Sequence, residues 1–133
     1  MTANLAELLT RAAAASPDGT ALVEAASGRS TTWGELEDTV SRLAAGLGEL
    51  GLVAGNRVVI TTANRPEFVT AYLAVLRAHL VAVPMNPRAA TGELVRTVAD
   101  CRARQSVTVR ISSPVAARGL TGTATRWARR TAR

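Results

Sequence analysis

Residues 55–87, GNRVVITTANRPEFVTAYLAVLRAHLVAVPMNP, constrain the fold more than any other stretch of this chain. A Gly55-Asn56 turn leads into the β-branched run Val58-Val59-Ile60-Thr61-Thr62, which reads as a strand. Asn64-Arg65-Pro66-Glu67 then opens a helical pattern. Pro66 suits the first helical turn, where its missing N–H is no loss, and Asn64 lies three residues before Glu67, the spacing of a side-chain cap. Phe68, Val69, Tyr72, Leu73 and Leu76 recur at three- and four-residue intervals, so one face of this helix is apolar and must lie against something. A second strand, Leu80-Val81-Ala82-Val83, is expected to stop at Pro84, with Asn86-Pro87 marking a turn. Strand, helix and strand in about thirty residues form a βαβ unit, which predicts parallel strands and a right-handed connection.

The flanking segments extend this α/β reading. Asn4 to Ala12 has helical periodicity and ends at the turn Ser16-Pro17-Asp18-Gly19. Thr20 to Glu24 reads as a short strand, and a turn at Ser27-Gly28-Arg29 returns it along Ser30-Thr31-Thr32 as a hairpin. Thr32 and Glu35 then have the spacing of a capping box. Trp33, Leu36, Val40, Leu43, Leu47 and Leu50 form the apolar stripe of the helix that follows, with Gly51 placed to end it in a left-handed conformation. Thr91 to Asp100 reads as a further helix capped by Thr91, with Leu94, Val95 and Val98 on one side. Ser106 to Ile111 alternates as a strand would.

At 133 residues the chain is at most one ordinary domain. Its net charge of +6 is unevenly divided. Residues 1–101 carry 8 arginines and all 10 acids, whereas residues 102–133 carry 8 arginines and no acid. The basic character therefore belongs to the tail. All 16 basic residues are arginine, and Ala and Val must fill most of a core in a chain only 3% aromatic. The single cysteine, Cys101, excludes an intramolecular disulfide, which predicts a reducing, cytoplasmic setting. The N-terminus lacks a basic n-region and carries Glu7, unlike a secretory signal, and no apolar run approaches the roughly 20 residues that span a bilayer.

Gly51-x-x-x-Gly55-Asn56-Arg57-Val58-Val59-Ile60, Asn64-x-x-Glu67-Phe68, and Val81-Ala82-Val83-Pro84-Met85-Asn86-Pro87 followed by Glu93-Leu94 resemble, in order and spacing, the N-terminal segment of the adenylate-forming enzymes. Within that superfamily they look most like the acyl-CoA synthetases, or fatty-acid–CoA ligases. Ser30 to Leu36 is similar to the family segment that opens a helix, and Asp100-Cys101-Arg102-Ala103-Arg104 resembles the family's turn into a further strand. The resemblance implies a partial N-terminal module of the synthetase fold over residues 1–104. Residues 105–133 then form a basic tail that lacks acid and steady periodicity and is expected not to order. The abrupt end near residue 104 predicts a truncation or a frameshift at that point.

The parent reaction implied by the resemblance joins a fatty or other carboxylic acid to AMP at the expense of ATP, then transfers the acyl group to coenzyme A. That chemistry needs a Ser/Thr/Gly-rich phosphate loop ending near a lysine, an acidic residue for magnesium, a hinge and a C-terminal catalytic lysine. The chain has no lysine and none of these motifs. No catalytic, cofactor-binding or metal residue is assigned, and the fragment is expected to bind no ATP, Mg or CoA by itself and to be inactive alone. Gly46-Leu47-Gly48 falls inside a capped helix without a loop's context. His79 stands where the family more often has a glycine. Its expected role is structural, at a helix C-terminus, with a strain of about 1 kcal/mol if the backbone there is left-handed. Asn56 replaces the aspartate common in relatives, and both tolerate a turn. Cys101 reads as an inert thiol without a paired histidine.

Two partner relations are expected of a fragment whose 33–50 and 66–79 helices would lack part of their cover: self-association, or docking with the remainder of a split synthetase. The alternative reading is a small non-catalytic module that binds polyanions or a partner through its arginine-rich tail, including Arg126-Trp127-Ala128-Arg129-Arg130.

Overall fold

In a computed structural model that describes residues 4–101, 107–110 and 125–126, the βαβ unit belongs to a four-helix, two-sheet arrangement. The elements run α1 (Ala6–Ala15), β1 (Thr20–Val23), β2 (Ser30–Thr32), α2 (Trp33–Glu49), β3 (Arg57–Thr61), α3 (Pro66–Arg77), β4 (Val81–Met85), α4 (Thr91–Asp100), β5 (Val107–Arg110) and β6 (Thr125–Arg126). β1 and β2 pair antiparallel as a separate hairpin, closed where the Glu24 N–H donates to the Arg29 carbonyl at 2.8 Å. The larger sheet has the order β4-β3-β5-β6. β3 pairs in parallel with both β4 and β5, and β5 pairs antiparallel with β6. Part of the tail expected not to order is thus strand: β5 matches the alternation read over Ser106–Ile111, while β6 was not anticipated. The rest of residues 102–133 lies outside the described residues.

α2 begins as its sequence dictates. The Glu35 N–H donates to Thr32 Oγ1 at 3.2 Å, and the Thr32 N–H donates to Glu35 Oε2 at 2.9 Å, a complete capping box. The helix ends at Gly51, whose φ of 79° is left-handed and open to glycine without penalty. Two other expected caps are not formed. Arg65, not Asn64, occupies the N-cap of α3 with no side-chain bond, because Pro66 at the first position already removes one free N–H. Thr91 is the first residue of α4 rather than its cap, and the N-cap Ala90 has no side chain able to accept.

Pro84 does not stop β4. The Val81 N–H donates inward to the Asn56 carbonyl at 2.8 Å, so alternation turns position 84 outward, away from β3. β4 is the sheet edge, and a proline whose missing N–H faces outward loses no ladder bond there. The strand therefore runs on to Met85.

The core forms in two clusters on either side of α3. Val58 and Ile60 of β3 pack with Ala71 and Val75 of α3, Leu47 of α2 and Leu80. Leu9 of α1, Leu36 and Val40 of α2, and Ala74 of α3 form the second. The apolar stripe of α3 read from Phe68, Val69, Tyr72, Leu73 and Leu76 is therefore flank rather than centre: these residues are half-buried, and Ala71, Ala74 and Val75 are the buried ones. The helix is sandwiched between the sheet and α1–α2, and alanine sits where the elements approach most closely. The 33–50 and 66–79 helices, expected to lack part of their cover, pack against each other, and the α3 stripe stays half-buried. Leu50, placed on the stripe of α2 by periodicity, is exposed at the helix end.

Candidate functional site at the carboxyl edge of the parallel strands

In an open parallel sheet, ligands sit outside the carboxyl ends of the strands where the strand order reverses. Here the chain passes from β3 to β4 on one side and returns past β3 to β5 on the other, so the reversal lies at the carboxyl end of β3. The residues there are the β3–α3 loop, Thr62 to Arg65, and the turn after β4, Asn86 to Ala90. Thr62 is buried, and its hydroxyl reaches only its neighbour's carbonyl, that of Ala63, at 3.5 Å. Asn64 and Arg65 are exposed. Asn86 Oδ1 accepts the Arg88 N–H at 2.9 Å, which fixes the second turn as sequence chemistry anticipates. Two buried oxygens at this end of the unit have no hydrogen-bond partner among the described residues, Thr61 Oγ1 and Glu67 Oε2.

The β3–α3 loop contains no glycine, α3 opens on a proline that removes one of the N–H groups a phosphate would need, and the nearest cations are isolated exposed arginines. Among the described residues no group of three His, Cys, Asp or Glu could hold a metal ion.

The other residues weighed in the sequence lie elsewhere. Gly46 and Gly48 are inside α2, on either side of buried Leu47. His79 has φ of 57°, the only left-handed non-glycine among the described residues. Its N–H donates to the Leu76 carbonyl at 2.9 Å, and its own carbonyl accepts the Gly55 N–H at 2.9 Å, so it joins the end of α3 to the turn before β3 through backbone alone. It lies at the opposite end of β3 from the crevice. Cys101 is a free, half-buried thiol at the C-cap of α4. Asn56 closes its turn by accepting the Val53 N–H on Oδ1 at 3.0 Å. Arg102, Arg104, Trp127, Arg129 and Arg130 fall outside the described residues.

Sequence reasoning missed the most densely bonded polar group. Arg77, in the last turn of α3, donates to both oxygens of Glu37 at 2.9 and 2.8 Å, to Ser41 Oγ at 2.7 Å, to Thr10 Oγ1 at 2.9 Å and to the Ala6 carbonyl at 3.1 Å. Asn4 Nδ2 adds a bond to the Leu76 carbonyl at 2.6 Å. One guanidinium thus ties α1, α2 and α3 together. The available signal was an arginine in the last turn of a helix, after the apolar run Leu73 to Leu76.

Comparison with known proteins decides the family. The profile of the AMP-binding enzyme family matches residues 9–130. The chain belongs to the AMP-binding enzymes. The match runs past residue 104, where the motif resemblance ends, and takes in most of the basic tail. A rice (Oryza sativa subsp. japonica) protein named 4-coumarate–CoA ligase-like 9 is 35% identical over 99 residues, 74% of this chain and 18% of that protein. A Mycobacterium tuberculosis fatty acyl CoA synthetase has the same fold with a TM-score of 0.73 and 28% identity, over 84% of this chain and 22% of that one. The N-terminal subdomain of NpsA from Klebsiella oxytoca, solved with anthranilyl-AMSN, superposes with a TM-score of 0.73 and 25% identity over 81% of this chain and 28% of its own. The chain therefore spans less than a fifth of the rice relative, and its α/β module corresponds to part of an N-terminal subdomain of an adenylate-forming enzyme. No helix among the described residues is long and apolar enough to cross a membrane.

Proposed function

We propose that this chain is the first structural module of an ATP-dependent acyl-CoA ligase and has no turnover of its own. The parent reaction has two steps. The substrate carboxylate attacks the α-phosphorus of ATP and expels pyrophosphate, and the thiol of coenzyme A then attacks the acyl adenylate, loses its proton and expels AMP. The substrate class is an aliphatic or aromatic carboxylic acid, in keeping with relatives named for fatty acyl and 4-coumarate activation. The observation that carries the reading is the AMP-binding profile over residues 9–130 on a chain that spans 18% of the rice relative.

The module's contribution is architectural: β3 and α3 form a rigid wall on which the rest of a catalytic domain is built. The lack of a second cysteine to pair with Cys101 and the consumption of ATP and CoA by the parent reaction agree with a cytoplasmic setting. The test is pyrophosphate release by the purified chain with ATP, magnesium, CoA and a panel of fatty and hydroxycinnamic acids. No release above the protein-free rate is expected, and acid-dependent release by the chain alone overturns the proposal.

A further inference from the structure

We draw no further inference here: the strongest candidate, the two buried side-chain oxygens without a hydrogen-bond partner among the described residues at the carboxyl end of β3, Thr61 Oγ1 and Glu67 Oε2, belongs to the crevice already described, and nothing in the structure shows what meets them.

Discussion

Replacing Arg77 with alanine should be the most damaging polar substitution in the described part of this protein. The guanidinium makes five hydrogen bonds of 2.7 to 3.1 Å to α1 and α2, two of them a fork onto the Glu37 carboxylate. The two side chains are 20% and 23% exposed, so the pair is better shielded than a surface ion pair worth about 0–1 kcal/mol, yet not dry. Charge-assisted hydrogen bonds contribute about 1.5–3 kcal/mol when well made, and solvent access here places the fork near the lower end, at about 1.5 kcal/mol. Truncation also leaves Glu37 half-buried without its cation and removes the bonds to the Ala6 carbonyl and Thr10, for a total of about 2–3 kcal/mol. In a domain of this size that lowers the unfolding midpoint by roughly 10 °C. The assay is chemical denaturation of Arg77→Ala, Glu37→Ala and the double variant, which isolates the pair's coupling. A loss below about 0.5 kcal/mol for Arg77→Ala, or a coupling indistinguishable from zero, would refute the view that this cluster fastens α1. Arg77→Lys should recover less than half of the loss, because an ammonium cannot form the fork. Hydrogen exchange should show α1, which Arg77 and Asn4 hold, loosening before the β3–α3 unit.

Three further outcomes follow from local geometry. His79→Gly relieves a left-handed backbone strained by about 1 kcal/mol, and after the roughly 0.5–1 kcal/mol cost of glycine's freedom in the unfolded chain is subtracted it should not lower stability and should raise it by up to about 0.5 kcal/mol, read as a denaturation midpoint equal to or above the parent's. Thr32→Ala removes half of the capping box and should cost about 1 kcal/mol, whereas Thr32→Ser should be nearly neutral. Pro84→Ala restores an outward N–H on the β4 edge; it should leave the unfolding midpoint almost unchanged but increase aggregation, measured by light scattering under native conditions.

Much of the fold was legible because its signals are local. The βαβ unit could be read from β-branched runs separated by a proline-initiated helix, and the capping box from two residues three apart. The failures share one cause. Asn64 and Thr91 had the right chemistry for caps, but the helices begin one residue later and earlier, respectively, than spacing suggested, so neither side chain meets a free N–H. Pro84 read as a strand breaker because sequence does not say which strand is at the edge. Candidate chemistry was legible chiefly as what the chain does not contain, lysine above all, while Arg77 was invisible because its five acceptors come from α1 and α2, 36 to 71 positions away.

By itself, the sequence determined the α/β class, the order of the elements through α4 and the family, because periodicity, turn chemistry and motif order act over a few residues at a time. Only tertiary structure decided that Ala71 and Ala74, rather than Phe68 and Tyr72, form the buried centre of α3, and that β5 joins β3 on the side away from β4. Those outcomes depend on which surfaces meet. That is settled by close packing between segments far apart in the chain, where a small side chain permits an approach that a larger one forbids.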